Sequence, residues 1–218
     1  MAYKNTHWNI DPLEGINISM RGVIQVGAHY CQEYNDFINN GIKNMVLIEP
    51  LSANYKKLLE SWPFPDDGSV LTFRTAIGNT TGEIDMNVET SNWGMSSSIL
   101  EPGTHLEIYP KITFDTKEAV KIDKLDNLPI VRHLYNVLMV DVQGYELEVF
   151  KGAVNSLKFI DIIFSEINTK QVYKGCTQLP DLNAFLDEHG FNNIHTHEYA
   201  NIGYGDAIYL RKELCQQP

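Results

Sequence analysis

Two acidic residues in this chain stand where they could bind a ligand. Glu49 and Asp141 each come directly after an apolar run, and about twenty residues before Glu49 another apolar run leads into the small-residue turn Gly27-Ala28. Small residues at such a turn let the backbone approach a ligand, and an acid ending the next strand can accept hydrogen bonds from ribose hydroxyls. The spacing therefore predicts a nucleotide-type ligand at the carboxyl edge of a β-sheet.

The turn itself narrows the choice of ligand. A dinucleotide fingerprint needs three glycines, the second of which admits a pyrophosphate against the backbone, whereas Gly27 is followed here by Ala28, His29, Tyr30 and Cys31. The turn disfavours NAD and FAD and suits an adenosine-bearing ligand without a phosphate. Two plainer alternatives stay open: a tight turn in an unrelated α/β protein, and a solvated glutamate at a strand end.

Short apolar runs alternate with amphipathic segments along the chain. The pattern predicts strands over 23–28, 45–50, 70–77, 136–142 and 160–166, and helices over 32–40, 52–61, 145–157 and from 180 to 190. This alternation favours a parallel, doubly wound α/β sheet. The tail differs, because 191–198 and 206–211 are strand-like with no room for a helix between them, so they must pair antiparallel at one end of the sheet.

The most distinctive motif follows the fourth predicted strand. Its sequence is Leu138-Met139-Val140-Asp141-Val142-Gln143-Gly144-Tyr145-Glu146-Leu147-Glu148-Val149-Phe150-Lys151-Gly152-Ala153. With 23–28 and 47–50, this motif resembles the FkbM-type family of S-adenosylmethionine-dependent methyltransferases, and the resemblance extends over about residues 22–195. It implies a Rossmann-like class I methyltransferase fold, with a mostly parallel seven-stranded sheet and an antiparallel C-terminal hairpin. It also implies methylation of hydroxyl oxygens, often on sugars or natural products.

The resemblance implies a role for each matching position. The methionine side of S-adenosylmethionine would be lined by Gln25, Gly27, Ala28 and His29, the ribose held by Glu49, the adenine flanked by Thr75, Ala76 and Ile77, and the sulfonium approached by Asp141. The family usually has Asp at position 25 and Asn-x-Gly at positions 29–31, where this chain has Gln25 and His29-Tyr30-Cys31. A neutral Gln25 removes a carboxylate from near the cofactor.

Residues 91–118 interrupt the βα rhythm and are rich in serine, glycine and proline at their start. Such a long irregular segment in a compact domain is usually functional or mobile, and it resembles a substrate-facing insertion of some relatives. We expect Trp93, Ser97 and Ser98 to face the acceptor and His105 or Asp141 to take the proton of its hydroxyl group. The alternative is that Ser96–Ser98 form a solvated turn and His105 begins a helix. Glu146 is expected in the first turn of the helix that follows Gly144. It could have a functional role, or it could stand there only because the helix dipole favours an acid in that turn.

Composition sets limits on the partners. The net charge is −11 without a run of lysine or arginine, which disfavours nucleic acid. Three distant cysteines indicate neither a disulfide framework nor a zinc site, and His195 with His197 is weak evidence for a metal. The first twenty residues lack the features of a signal peptide, and no apolar stretch is long enough for a membrane span. We expect one cytoplasmic domain over 1–218, with an N-terminal extension over 1–20, and composition is silent on its oligomeric state.

The sequence therefore predicts an S-adenosylmethionine-dependent O-methyltransferase acting on a small-molecule or glycan acceptor, without a metal. Two rival functions remain. A non-catalytic nucleotide-binding module of the same fold would keep the cleft and lose turnover, and an NAD-dependent oxidoreductase would need a turn that accommodates a diphosphate.

Overall fold

The structure is a computed structural model that describes residues 8–200 and 202–215. The first seven residues of the predicted N-terminal extension, and Asn201 in the turn between the last two predicted strands, lie outside the described residues. The strands are β1 Gly22–Val26, β2 Asn44–Ile48, β3 Val70–Phe73, β4 Ala76–Ile77, β5 Gly82–Val88, β6 Thr116–Asp123, β7 Val137–Val140, β8 Ile162–Asn168, β9 Phe191–Glu198 and β10 Tyr204–Arg211. The α-helices are α1 Tyr34–Asn39, α2 Ser52–Ser61, α3 His105–Ile108, α4 Glu146–Lys151 and α5 Leu179–Glu188.

Seven strands form the main sheet in the order β3-β2-β1-β7-β8-β10-β9. The first five are parallel, whereas β10 runs antiparallel to both β8 and β9. The predicted α/β sheet with an antiparallel C-terminal hairpin is therefore confirmed. The chain leaves β1 toward β2 on one side and later returns to β7 on the other. Such a reversal of strand order opens a crevice at the carboxyl ends of the strands, where ligands bind in open α/β sheets.

Helices cover both faces of the sheet. On one face α4 and α5 contribute Val149, Phe150, Leu182 and Leu186 to a cluster with inward residues of β1, β7 and β8. On the other face Phe37 of α1 and Leu58 of α2 pack against the alternate residues of the same strands. All residues of β7 and β8 are buried, as expected of strands covered on both sides.

Three predicted elements have different limits in the structure. The predicted strand 70–77 is broken after Phe73, because Ala76 and Ile77 pair with Ile122 and Asp123 of β6 in a second sheet. That sheet has three strands in the order β4-β6-β5, and β6 already begins at Thr116 inside the segment predicted to be irregular. The predicted helix 145–157 is divided, because α4 ends at Lys151 and the 3-10 helix Ser156–Phe159 follows after a short turn.

Within the described ranges, no helix is both long enough and apolar enough to cross a membrane.

Candidate active site

The ends of three neighbouring strands bring the predicted ligand residues together. Val26 of β1 lies opposite Ile48 of β2 and Val140 of β7. Ladder-like hydrogen bonds continue past the strand ends, because the amides of Gly27 and Ala28 donate to the Ile48 carbonyl at 3.0 and 2.9 Å, and the Asp141 amide donates to Val26 at 3.0 Å. The small-residue turn, Glu49 and Asp141 therefore meet at one edge of the sheet.

Gly27 is required by this close approach. Its φ is +81°, and a Cβ at this position would lie 1.8 Å from the carbonyl oxygen of Asp141. A left-handed backbone is costly for any residue with a Cβ, and no side chain fits at such a distance. The turn is thus held against β7 by a contact that only glycine allows.

A cleft of about 850 Å³ opens at this edge. It is lined by most of the predicted site residues, namely Gln25, Gly27, Ala28, His29, Glu49, Thr75, Ala76, Ile77, Trp93, Ser97 and Asp141. Lining residues that the sequence did not single out include Tyr30, Gln32, Glu33, Asn54, Gln143 and Tyr204. Ser98 and His105 do not line it. The volume lies within the range of small-molecule and cofactor sites.

Glu49 projects into a ring of donors just beyond β2. The amide of His29 donates to its Oε2 at 3.0 Å and the amide of Leu51 donates to its Oε1 at 2.9 Å. Burial raises the pKa of Glu49 to about 8, because desolvation outweighs these hydrogen bonds and one from the Asn54 side chain. These three hydrogen bonds occupy three of the four lone pairs of the carboxylate, so the group can still accept a hydrogen bond from a ligand.

His29 joins the small-residue turn to the irregular segment. Its Nε2 lies 2.8 Å from the carbonyl oxygen of Trp93, and the Gln32 side-chain amide lies 3.0 Å from its Nδ1. With Gln32 donating to Nδ1, the neutral ring carries its hydrogen on Nε2 and donates it to Trp93. Burial lowers the pKa of His29 and favours this neutral form. The contact closes one side of the cleft.

The Trp93 turn is organised by a buried carboxylate. Glu89 Oε2 accepts from the amide of Gly94 at 2.9 Å, and its Oε1 accepts from the Ser91 hydroxyl at 2.8 Å and from the amides of Ser91 and Asn92. Trp93 adopts a left-handed φ of +64° at the top of this turn, and 72% of its surface is exposed. The turn thus holds a large aromatic ring at the mouth of the cleft.

A cation lies between two aromatic rings at the same place. Lys57 Nζ is 4.0 Å from the ring centroid of Tyr30 and 4.5 Å from that of Trp93. Both distances are within the range of cation–π contacts. Tyr30 and Trp93 line the cleft, whereas the described lining includes no lysine or arginine. Lys57 therefore lies beside the cleft, with its charge at the rim.

A glutamine that the sequence analysis did not select connects the groups around Asp141. The Nε2 of Gln143 donates to Asp141 Oδ1 at 2.7 Å and to Glu166 Oε2 at 2.9 Å. Its Oε1 lies 2.8 Å from the hydroxyl of Tyr173, which is also 2.9 Å from the carbonyl oxygen of Ser96. Gln143 therefore ties Asp141 to the end of β8 and to the irregular segment.

Three acids are concentrated here. Burial raises the pKa of Glu166 well above its usual range, and the nearby carboxylates of Asp141 and Glu146 raise it further. Burial also raises the pKa of Glu146 to about 7, although the Gly144 amide donates to its Oε1 at 2.8 Å. Glu166 is an acid at the end of the predicted strand 160–166, and it therefore has the same sequence pattern as Glu49 and Asp141.

The irregular segment places three predicted residues differently from one another. Ser97 lines the cleft, where its hydroxyl accepts from the Glu89 amide at 2.9 Å. Ser98 is fully buried and donates to the Gln143 carbonyl at 2.8 Å, so it supports the cleft from behind. His105 begins α3 and is buried among the rings of Tyr109, Phe114 and Tyr173. The structure therefore does not bring His105 to the cleft, and the serines do not form the solvated turn considered above.

The charges of the cleft indicate what it can hold. Its described lining carries the carboxyl groups of Glu33, Glu49 and Asp141, without lysine or arginine. Such a lining suits a ligand with net positive charge and disfavours a pyrophosphate. A sulfonium compound with an adenosine part fits this donor and acceptor set. Among the described residues, no group of three or more histidine, cysteine, aspartate or glutamate side chains could hold a metal ion.

A family model described as the methyltransferase FkbM domain matches residues 25–192. This range covers more than half of the 218 residues. The chain belongs to this family. The matched range of this FkbM-domain protein includes every strand that borders the cleft from β2 to β8, and it begins at Gln25 within β1.

Two curated relatives of this FkbM-domain protein carry names that state an activity. The 2-O-methyltransferase NoeI of Sinorhizobium fredii is 32% identical over 122 residues, which is 53% of this chain and 49% of that protein. The hexuronic acid methyltransferase AglP of Haloferax volcanii is 27% identical over 156 residues, which is 71% of this chain and 57% of that protein. The alignments thus span about half the length of these relatives.

Solved structures agree on the fold. A methyltransferase FkbM from Methylobacillus flagellatus superposes with a TM-score of 0.60 at 14% identity, covering 88% of this chain and 44% of that chain. TrmK of M. capricolum, solved with S-adenosyl-homocysteine, gives a TM-score of 0.50 at 13% identity, covering 92% of this chain and 66% of that chain. At such identities the likeness shows the fold alone, and it confirms the predicted Rossmann-like methyltransferase class.

Proposed function

We propose that this protein transfers a methyl group from S-adenosylmethionine to a hydroxyl oxygen of a sugar or other small acceptor. The observation that carries the proposal is the cleft at the carboxyl edge of β1, β2 and β7, lined by three carboxyl groups and no described lysine or arginine. S-adenosylmethionine has a net positive charge, whereas the pyrophosphate of NAD is anionic. Family membership and the names of NoeI and AglP support the same assignment.

Each part of the cofactor has candidate partners in the cleft. Glu49 would accept hydrogen bonds from the ribose hydroxyls, as acids at the end of the second strand do in nucleotide-binding sheets. The turn residues Gly27, Ala28 and His29, with Gln25 below them, would line the methionine part. Thr75, Ala76 and Ile77, where β4 leaves the main sheet, would flank the adenine.

Asp141 is the proposed proton acceptor. The bound cofactor supplies an electrophilic methyl group. The cofactor would give up this methyl group to the acceptor oxygen and leave as the neutral thioether S-adenosylhomocysteine, while Asp141 would take the proton of the acceptor hydroxyl. Holding the oxygen in line with the reacting carbon accounts for much of the rate through proximity, and a positioned base adds about 10²–10⁴-fold. Gln143 would orient the carboxylate through its 2.7 Å hydrogen bond.

The acceptor would enter past Trp93. This ring is 72% exposed at the mouth of the cleft, and apolar faces of sugar rings pack on such aromatic surfaces. The two named relatives act, by their printed names, on a 2-hydroxyl oxygen and on a hexuronic acid, which favours a sugar acceptor here. A net charge of −11 favours a neutral or small acceptor over nucleic acid.

Calorimetric titration with S-adenosylmethionine, S-adenosylhomocysteine and NADH tests the cofactor assignment. We expect binding of the first two and not of NADH. Binding of NADH alone would favour the oxidoreductase and overturn the proposal. A screen of saccharides with isotope-labelled methyl donor then tests the reaction. Cofactor binding without labelling of any saccharide or other hydroxylated acceptor in such a screen would favour the non-catalytic binding module.

A further inference from the structure

Two tyrosines of the C-terminal hairpin line the cleft together with residues from much earlier in the chain. Tyr199 directly follows β9, and Tyr204 is the first residue of β10. Because β10 runs antiparallel to β8, Tyr204 pairs with Asn168, the last residue of β8. The start of β10 therefore lies at the edge where the parallel strands end, and the hairpin brings two aromatic rings to the cleft.

Several contacts fix the orientation of these rings. Their centroids are 5.5 Å apart and their planes are inclined by 67°. The Tyr199 amide donates to the Tyr204 carbonyl at 3.0 Å, and the hydroxyl oxygens of Tyr204 and Tyr109 are 2.6 Å apart. The Gly203 carbonyl accepts from the amides of two residues that follow β8, at 2.9 and 3.1 Å. The Tyr199–Tyr204 pair is thus a fixed surface of the cleft.

The pair lies on the side of Asp141 that is away from Glu49. In the strand order β2-β1-β7-β8-β10, two strand spacings separate β7 from β10, or about 10 Å, and four separate β2 from β10, or about 19 Å. Burial raises the pKa of Tyr204, and the hydroxyl of Tyr109 and the carboxylates of Glu166 and Asp141 raise it further. Tyr204 is therefore neutral and close enough to Asp141 to interact with its charge.

We propose that the Tyr199–Tyr204 pair binds a sugar ring of the acceptor through the apolar face formed by its C–H groups, and so presents one hydroxyl group to Asp141. The inference rests on the proposed function and adds to it the residues that select the acceptor. The partners proposed for the cofactor all lie on or beside β1, β2, β4 and β7. The pair is therefore left for the second substrate, about 10 Å from the end of β7, a distance that a small saccharide spans.

The chemistry of the pair matches that of a sugar. A sugar ring has an apolar face and hydroxyl groups at its edge, and tyrosine likewise combines an apolar ring with a polar end. One hydrogen joins the hydroxyl groups of Tyr204 and Tyr109. Whichever of them donates it, Tyr204 keeps a hydrogen or a lone pair for a sugar hydroxyl. A flat phenolic acceptor would use the ring faces alone, so it is the alternative that the test must separate.

Saturation-transfer difference NMR on the protein bound to S-adenosylhomocysteine tests the inference without requiring turnover. The probes are the methyl glycosides of glucose, galactose and mannose, with catechol as the flat aromatic alternative. We expect at least one glycoside to bind and to receive saturation mainly on the C–H groups of one ring face. In Tyr199→Ala its dissociation constant should rise about tenfold, as for loss of about 60 Å² of apolar contact. Tyr199→Phe keeps the ring and should stay within about threefold.

Two controls separate acceptor binding from folding. Phe159→Ala removes an exposed ring outside the cleft lining and should change the affinity of neither ligand. In Tyr199→Ala, calorimetry should show S-adenosylhomocysteine affinity within about twofold of the unaltered protein, because the pair lies about 19 Å from the strand that carries Glu49.

Four results would overturn the inference. They are binding of no glycoside by protein that binds S-adenosylhomocysteine, binding of catechol alone, unchanged glycoside affinity in Tyr199→Ala, and equal weakening of glycoside and S-adenosylhomocysteine in that variant. Failure of the unaltered protein to bind S-adenosylhomocysteine would overturn the proposed function and this inference with it.

Discussion

Glu49 should make cofactor binding depend on pH. Burial raises its pKa to about 8, so in the free protein at neutral pH most molecules carry a protonated Glu49. A ribose hydroxyl that donates a hydrogen bond to Glu49 is bound better by the ionised carboxylate than by the protonated acid. Binding should therefore select the ionised form and release a proton. The sign follows directly: affinity should rise with pH up to about 8 and then level off.

The magnitude follows from the population of the ionised form. With a pKa of about 8, roughly 1% of molecules are ionised at pH 6, about 10% at pH 7 and about 90% at pH 9, since each pH unit changes the ratio tenfold. The dissociation constant for S-adenosylhomocysteine should fall about tenfold between pH 6 and 7 and nearly a hundredfold between pH 6 and 9. A hundredfold change in the dissociation constant corresponds to about 2.7 kcal/mol of binding free energy.

Calorimetry at several pH values, in buffers with different heats of ionisation, measures both the affinity and the proton release. Glu49→Gln is the matched control, because the amide keeps the shape of the side chain and does not titrate. It should bind more weakly at pH 9 and lose the tenfold change between pH 6 and 7. A pH profile that is flat in the unaltered protein, or identical in the two proteins, would refute the reasoning.

Three other substitutions probe the cleft. Gly27→Ala should abolish S-adenosylhomocysteine binding, because the new Cβ would lie 1.8 Å from a backbone oxygen. Gly41→Ala is the control, because Gly41 has a similar φ of +78° but nothing lies within 4 Å of its Cβ position. It should lower the free energy of unfolding in urea by only about 1–2 kcal/mol and leave binding intact. Glu89→Gln should leave at least one partly buried amide of the Trp93 turn without its acceptor, which costs up to about 1–3 kcal/mol of stability. It should also raise the acceptor KM more than it lowers kcat, and an unchanged KM would count against a role of this turn in acceptor binding. Asp141→Asn should lower kcat about 10²–10⁴-fold. Calorimetry should show that its affinity for S-adenosylhomocysteine stays within about threefold of that of the unaltered protein. If the variant keeps its turnover, Asp141 is not the base.

The residues at strand ends could be predicted from the sequence for a simple reason. Parallel strands end at one edge of the sheet, so residues that follow apolar runs are brought together whatever the details of packing. Gly27, Glu49 and Asp141 were selected in this way, and the structure places all three in one cleft. Their binding and catalytic roles stay predictions until the experiments above are done.

The irregular segment shows where this reasoning ends. Ser97 and Ser98 are adjacent in sequence, yet only Ser97 lines the cleft, and His105 turns into an aromatic cluster. Outside regular elements there is no fixed periodicity to assign a side chain to a face, so its direction depends on tertiary contacts. The buried carboxylate of Glu89, which organises the Trp93 turn, likewise has no local sequence pattern that marks it.

The positions of the carboxyl groups separate binding from catalysis. Methyl transfer moves positive charge from the donor sulfur to the acceptor oxygen, and only interactions that strengthen in the transition state raise the rate. Glu49 lies at the end of β2, where we propose that it binds a ribose hydroxyl whose charge does not change, so we expect it to contribute to affinity. Asp141 is instead linked through Gln143 and Tyr173 to the segment at the acceptor side of the cleft. A carboxylate there would meet the charge that develops on the acceptor oxygen, and for this reason we expect Asp141, rather than Glu49, to determine the rate.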